Sequence, residues 1–478
     1  MKKQQLLFFS IVINVLVYFL LVYLHAYTAG KTEWFFWGGD TREYLCYGES
    51  MLNGEYRCGD EFLNRMPGLP VVYAFFRLFT DQNGAMLMIV LLQVFFSGIS
   101  MYYLTLIAKE NMGVKLDSRW LILFFSTMFA YKVYDPIVLT ESLAMSTIII
   151  GLYFIFRKQR NLTSLIVAGI CFAWCIFLRP YTILLLGLAS IYCFYKIYRD
   201  NSSLIKTLLL VVILLLPFVI AEGFWVTRNF KVGGKFVPFQ DNRYAGLNES
   251  SAFEESSYVK LWSWMLTMGE DAIYWNPGSM GSWIYGGDFK PDTFIYKPHM
   301  FSNSYGIKDI EQVRSLYQMQ LHAATPAAGD SIERILVSKV DTMIISYKKE
   351  KFFEYHFVAP LRILKKTFIH SGSVIPVPQW PDILKNPFFL VIKVYAAVGY
   401  LVILLFGLAS ILIWWKKNAE TTLVAVMTMS IICVLALFFR YTEFRLYIII
   451  FPLLAAFAIK LIDYLFQIIN SNRRKNIA

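Results

Sequence analysis

Five arginines and two carboxylates carry the chemistry this sequence offers. Arg65, Arg179, Arg228, Arg440 and Arg445 are far apart in the chain, yet each falls at the outer end of an apolar run or in the polar loop beside one. Asp40 lies in Trp37-Gly38-Gly39-Asp40-Thr41-Arg42-Glu43-Tyr44, and Glu141 in Asp135-Pro136-Ile137-Val138-Leu139-Thr140-Glu141-Ser142, at that same depth. A guanidinium can bind phosphate oxygens through paired N–H groups, so arginines gathered at one membrane face suit a phosphate or diphosphate. A carboxylate among them can take a proton from a hydroxyl while the cations stabilise a departing phosphate. Tyr44 stands one turn beyond Asp40 if a helix starts there. Asp135 and Glu222 are weaker candidates. Blander readings stay open: an arginine at a helix end can snorkel to lipid headgroups. Asp40 can be a helix N-cap, with Glu43 completing a capping box.

The shared depth comes from the elements around these residues. The chain has 478 residues, 57% hydrophobic and only 16% charged, where a soluble protein carries about a quarter charged. Apolar runs long enough to cross a bilayer, some of them only with tilt or thinning, occur at roughly 6–24, 86–108, 119–134, 138–156, 163–178, 181–198, 205–226, 388–413, 422–439 and 445–466. Leu6 to Leu24 would span about 28 Å as a helix, and no small-residue cleavage pattern follows, so it reads as a retained first span. Lys and Arg alternate with these runs: Lys2 and Lys3; Lys109, Lys115 and Arg119; Arg157, Lys158 and Arg160; Lys196, Arg199 and Lys206; Lys416 and Lys417; Arg473, Arg474 and Lys475. The positive-inside rule then puts both termini in the cytoplasm. The net charge of +12 is this topology signal, and no long basic stretch interleaved with aromatics marks a nucleic-acid partner.

The predicted fold class is an all-α polytopic membrane protein of about ten spans with an extracytoplasmic mixed domain. Its units are a first transmembrane module over 1–228, an outer domain over 229–387 and a second transmembrane module over 388–478. The first outer loop, 25–85, contains Arg65-Met66-Pro67-Gly68-Leu69-Pro70 leading into a short apolar helix over 71–79, too short to cross and expected at the interface. A second amphipathic helix is expected over 331–350, and Ser373 to Pro387 reads as a stiff lead back to the membrane. Leu178-Arg179-Pro180-Tyr181 breaks two helices, with proline starting the next. Cys171, Cys175, Cys193 and Cys433 sit in apolar runs as packing residues. Cys46 and Cys58 share the first outer loop and can pair if it faces an oxidising compartment. The chain has no P-loop or Rossmann fingerprint. A divalent metal is possible only if the fold brings Asp40 and Glu141 together, and no cofactor is otherwise called for.

In these motifs the sequence resembles the C-type membrane glycosyltransferases, with its nearest likeness to the family 39 group of protein O-mannosyltransferases and the aminoarabinose transferase of lipid A. The residues that carry the likeness are Gly39-Asp40 with Tyr44, Arg65–Pro70, Thr140-Glu141, Leu178-Arg179-Pro180, Thr227-Arg228-Asn229-Phe230 with Gly234-Lys235-Phe236-Val237-Pro238, and Glu443-Phe444-Arg445. The resemblance implies a polyprenyl-phosphate sugar as donor and inverting transfer. Asp40 would be the general base, Glu141 would position donor or acceptor, and Arg179, Arg228 and Arg445 would hold the donor phosphate. Tyr44, Arg65 and Arg440 join the donor site by their placement. The acceptor would be a lipid-linked glycan, a lipid or a protein. The protein O-mannosyltransferases often have an Asp-Glu pair where this chain has Asp40-Thr41, and the outer segment does not resemble a β-trefoil, so protein as acceptor lacks support. Short loops and the lack of a targeting extension suggest a bacterial cytoplasmic (inner) membrane, with the site on its outer face. Two alternatives compete: a polymerase or ligase of lipid-linked glycans (O-antigen type), which usually lacks an acidic residue after the first span, and a flippase or transporter, which would carry polar groups at mid-membrane. The mid-helix positions read as nearly all apolar.

Overall fold

The computed structural model describes residues 2–59, 63, 65–157, 161–201, 203–234, 236–240, 256–274, 278–286, 294–369 and 382–477. Lys158, Arg160, Lys235 and most of the proline-rich lead from Ser373 lie outside them. The α-helices are α1 (Lys3–Ala29), α2 (Thr41–Leu52), α3 (Gly68–Arg77), α4 (Gln82–Leu106), α5 (Ser118–Thr127), α6 (Phe129–Lys132), α7 (Glu141–Phe156), α8 (Leu162–Leu178), α9 (Ile183–Asn201) and α10 (Leu204–Gly233). They continue as α11 (Ser257–Thr267), α12 (Met280–Tyr285), α13 (Ile307–Leu321), α14 (Pro326–Glu350), α15 (Ala359–Phe368), α16 (Pro387–Trp414), α17 (Ala419–Cys433), α18 (Phe444–Tyr447) and α19 (Phe451–Ile477). Among the described residues there is no named strand, only an isolated parallel bridge between Phe36 and Ile137. The segment over 229–387 is therefore helical where it is described, and the expectation of a mixed domain there is corrected.

Among the described residues seven helical stretches are long and apolar enough to cross a membrane: Lys3–Ala29, Gln82–Asn111, Pro180–Asp200, Leu204–Gly233, Pro387–Trp414, Ala419–Phe439 and Phe444–Asn472. The chain is a multi-pass membrane protein. α7 and α8, with 16 and 17 residues, are shorter apolar helices that match two more of the expected runs. The remaining run, 119–134, does not form one helix. It breaks at Met128, whose backbone is extended, into α5 and the single turn α6. α7 lies at the centre, buried almost throughout, with α4, α8 and the start of the α19 span packed around it. The rim is apolar instead: Ile205, Leu209, Val212, Val219 and Phe224 of α10 are exposed, as a lipid-facing helix requires.

The unwound stretch after α6 would be costly at membrane depth unless its backbone groups found partners. They do. Phe36 donates its N–H to Pro136 O at 2.8 Å, and Val138 donates to Phe36 O at 3.0 Å. Gln93 Nε2 donates to the Leu139 and Ile137 carbonyls at 2.8 and 3.1 Å. Gly38 packs closely on Leu139: a Cβ there would sit 2.5 Å from Leu139 Cδ1 and force that side chain to shift.

At this stretch polar and charged side chains are buried among the apolar helices. Lys132 and Asp135 are buried, 3.5 Å apart, at 1% and 3% exposure. Asp135 also accepts from Ser97 Oγ at 2.8 Å and Ser142 Oγ at 2.6 Å, while Lys132 donates to Asn14 and Ser97. The network joins α1, α4, α6 and α7, and its charges are buried and paired with each other, as in a structural clamp.

A second core forms in the segment between the two transmembrane modules. α14 buries Leu336, Val340, Met343, Ile344 and Tyr347 along one face, against Trp264 and Met265 of α11 and Val313 and Tyr317 of α13. This unit is fastened to the loop at 440–442. Arg440, left-handed at φ 55°, lies 3.7 Å over the Tyr355 ring and donates to Tyr355 O at 2.7 Å and Thr267 O at 3.1 Å. Thr442 Oγ1 donates to Asp271 Oδ1 at 3.0 Å. Beside it, buried Glu270 meets Lys366 at 2.7 Å, His299 at 2.7 Å and Lys297 at 3.2 Å. Burial alone would raise the Glu270 pKa, but His299 and the two lysines outweigh it and bring it down to about 2.

Two stability predictions follow from these charges. Lys132→Met strands Asp135 and should cost about 3–5 kcal/mol, whereas Lys132→Met with Asp135→Leu should recover much of the loss; thermal unfolding in detergent measures both. Glu270 titrates below its ordinary value of 4.5, so its contribution is complete above that pH and is lost as pH falls toward about 2. Glu270→Gln should lower stability at pH 7 by about 3 kcal/mol and flatten that acid dependence.

Candidate active site

Asp40 occupies the N-cap position of α2, yet its carboxylate makes no capping hydrogen bond. Thr41 ties down the turn instead: its hydroxyl accepts the Gly38 N–H at 2.8 Å and donates to Val138 O at 2.8 Å. The Asp40 carboxylate is thereby released to face two arginines. Its Oδ2 lies 2.9 Å from Arg445 Nη1 and its Oδ1 lies 3.6 Å from Arg65 Nη2. Oδ2 is buried and without an aligned hydrogen-bond donor. Burial would raise the Asp40 pKa, but Arg65, Arg445 and Arg179 together hold it below the usual carboxylate value. Asp40 is therefore ionised at neutral pH and able to receive a proton.

Glu43 does not complete a capping box. Both its oxygens are held by Arg65, through Nε at 2.7 Å and Nη2 at 2.6 Å. Arg65 also lies 5.2 Å over the ring of Tyr44, a buried residue whose hydroxyl makes no hydrogen bond among the described residues. Arg179 follows α8 in extended conformation, as expected of a residue before proline, and Pro180 opens the next turn. That break aims the buried Arg179 guanidinium at Glu141, the first residue of α7, and Nη2 donates to Glu141 Oε1. Arg179 Nε and Glu141 Oε2 stay buried without partners. Arg445 donates from Nε to Glu443 at 2.8 Å and is within electrostatic reach of both Asp40 and Glu141. Tyr181 closes the group by donating to Leu446 O at 2.8 Å.

The fold thus brings together Asp40, Tyr44, Arg65, Glu141, Arg179 and Arg445. It does not bring Arg228 or Arg440 to them. Arg228 stacks 5.2 Å from both the Tyr56 and Trp225 rings and donates to Tyr56 O; Tyr56 in turn donates to Arg65 O at 3.1 Å, so Arg228 braces the loop that carries Arg65. Arg440 is engaged with the second core. The weaker candidates lie elsewhere as well: Asp135 is in the buried clamp, and Glu222 accepts the Phe239 N–H at 2.8 Å. Glu443 was missed as a site residue although it stands two positions before Arg445, and Tyr56 carried no local signal.

Three guanidinium groups, Arg65, Arg179 and Arg445, meet four carboxylates, Asp40, Glu43, Glu141 and Glu443. The Arg179 Nε is buried and has no hydrogen-bond partner. Among the described residues no group of three or more His, Cys, Asp or Glu is placed to hold a metal ion.

Residues 66–228, a third of the chain, match the sequence profile of the Alg9-like mannosyltransferase family. The match supports the resemblance to C-type membrane glycosyltransferases and does not reach the family 39 group itself. No curated protein sequence gives a significant match. Among solved structures the chain is similar to ArnT from Cupriavidus metallidurans bound to undecaprenyl phosphate, with 13% identity over 97% of this chain and 79% of that one at a TM-score of 0.36. The apo state of that ArnT gives 12% identity over 95% and 76% at 0.34. Overlays this loose assign no role to any residue here.

Cys46 of α2 and Cys58 are joined as a disulfide, with Cα atoms 5.4 Å apart, between Glu43 and the Tyr56 and Arg65 loop. Cys46→Ser should cost about 3 kcal/mol by loop entropy and loosen Arg65. Mass spectrometry after non-reducing extraction should find the two thiols linked; two free thiols would contradict the bridge.

Proposed function

We propose that the protein is a glycosyltransferase that moves a sugar from a polyprenyl-phosphate donor to an acceptor at the outer face of a bacterial cytoplasmic membrane, with both termini inside. The observation that carries this reading is the Asp40 carboxylate, freed from capping and set between Arg445 and Arg65. The profile match over 66–228 supports glycosyl transfer as the reaction class.

In this reading Arg179, Arg445 and Arg65 take the donor phosphate. The acceptor hydroxyl attacks the anomeric carbon, the bond from that carbon to the phosphate oxygen breaks, and polyprenyl phosphate leaves with the bonding pair. Asp40 takes the hydroxyl proton, and attack from the face opposite the phosphate inverts the anomeric centre. As the arginines turn toward the phosphate, Asp40 loses part of the field that depresses its pKa and becomes a stronger base when the donor is bound. Glu141 holds Arg179 in position from the buried side, and the surrounding apolar helices keep water from hydrolysing the donor.

The test is turnover of radiolabelled polyprenyl-phosphate sugars by purified protein in nanodiscs. Asp40→Asn should cut transfer or slow hydrolysis of one donor by about 100- to 10,000-fold with insertion unchanged, and Arg445→Gln should weaken donor use. Wild-type rates in Asp40→Asn would contradict its role as base and shift it to Glu43 or Glu141. Retention of a diphosphate-linked glycan, with no turnover of any monophosphate donor, would favour the ligase or polymerase reading.

A further inference from the structure

The second core opens into a cleft of about 510 Å³, within the range of roughly 300–1,000 Å³ common for small-ligand sites. Trp283, Phe294, Tyr296, Glu311, Arg314 and Gln318 line it. Three aromatic side chains make one wall. Trp283 is buried and stacks on Phe294 with centroids 5.0 Å apart at 20°, and Tyr296 meets Phe294 edge-on at 5.4 Å. α13 supplies the facing wall of planar polar groups. The Arg314 guanidinium lies 4.7 Å over the Trp283 ring, and its Nε is buried without a hydrogen-bond partner. Glu311 Oε1 accepts from the Tyr296 hydroxyl at 3.1 Å, and Gln318 spends one amide N–H on Ile284 O at 3.0 Å.

None of these contacts belongs to the Asp40 cluster; Trp283 is part of the second core, while Phe294 and Tyr296 pack against it and stay partly exposed. The one cation and one carboxylate offset each other, so the cleft does not select an anion. Aromatic faces beside a guanidinium, a carboxylate and an amide suit a ring with apolar C–H patches and adjacent hydroxyls. Such a ring can stack on Phe294 and Tyr296 while vicinal hydroxyls bridge Arg314 and Glu311 in paired hydrogen bonds. We propose that the cleft is a neutral-saccharide subsite that holds a sugar unit of the acceptor glycan. Saccharide binding stands on the cleft alone; the acceptor role rests on the glycosyltransferase reading.

Saturation-transfer NMR on the full chain in nanodiscs tests it, with mannose, galactose, N-acetylglucosamine, mannobiose, lactose and chitobiose as probes. At least one sugar should receive saturation from wild type. Arg314→Gln and Glu311→Gln, both conservative and at partly open positions, should each weaken it by at least about tenfold. Asp40→Asn should bind the sugar as wild type does. No saturation of any of the six sugars, or undiminished binding in both cleft variants, would overturn the proposal. Loss of binding in Asp40→Asn would also overturn it by moving the sugar to the catalytic cluster. Binding is read without turnover, so failure here is separate from failure of the transfer reading.

Discussion

Asp40 is held between Arg445 and Arg65, and that ionic arrangement ties together three parts of the chain that share no local structure. Arg445 starts the last span, Arg65 sits in a loop tethered by the Cys46–Cys58 bridge, and Asp40 caps a helix without using its side chain to do so. Asp40, Arg65 and Arg445 are half-buried, where an unpaired charge is costlier than at an open surface. Each guanidinium keeps a carboxylate. In the proposed reaction, the arginines that depress the basicity of Asp40 are the ones a donor phosphate would draw away.

The arrangement requires an irregular backbone at the end of the helical bundle. The chain breaks at Met128 and, after the turn of α6, runs without a helix from Val133 to Thr140, where Gln93, Phe36 and Thr41 satisfy peptide groups. Lys132 and Asp135 anchor the same stretch from beneath. The unwinding lets Glu141 begin α7 at the site, and the proline break at Pro180 turns Arg179 toward it. Two interruptions of apolar helices thus place the buried ion pair.

Most of the spans are legible because a bilayer imposes length and composition on each run separately. The gathering of Asp40, Arg65, Glu141, Arg179 and Arg445 is legible because the arginines break the Lys and Arg pattern beside the two carboxylates. Depth alone could not separate Arg440 from Arg445, five positions away; a left-handed turn sends the first to the Tyr355 carbonyl and leaves the second with Asp40. Depth likewise does not show that Arg228 packs on Trp225 and on Tyr56 from the distant first loop. The clamp was missed because Asn14, Ser97 and Asp135 look isolated within apolar runs and meet only through packing. The helical second core was read as mixed because its many Gly, Pro and Trp residues mask the spacing of its helices.

A structure of the protein with a bound polyprenyl phosphate tests whether the Asp40 cluster receives the phosphate of a lipid-linked donor. Phosphate oxygens should lie on Arg179 Nε and the Arg445 guanidinium, with the Asp40 carboxylate beside them and Arg445 drawn from it. A phosphate bound away from these arginines, with the Asp40–Arg445 pair intact, would contradict it.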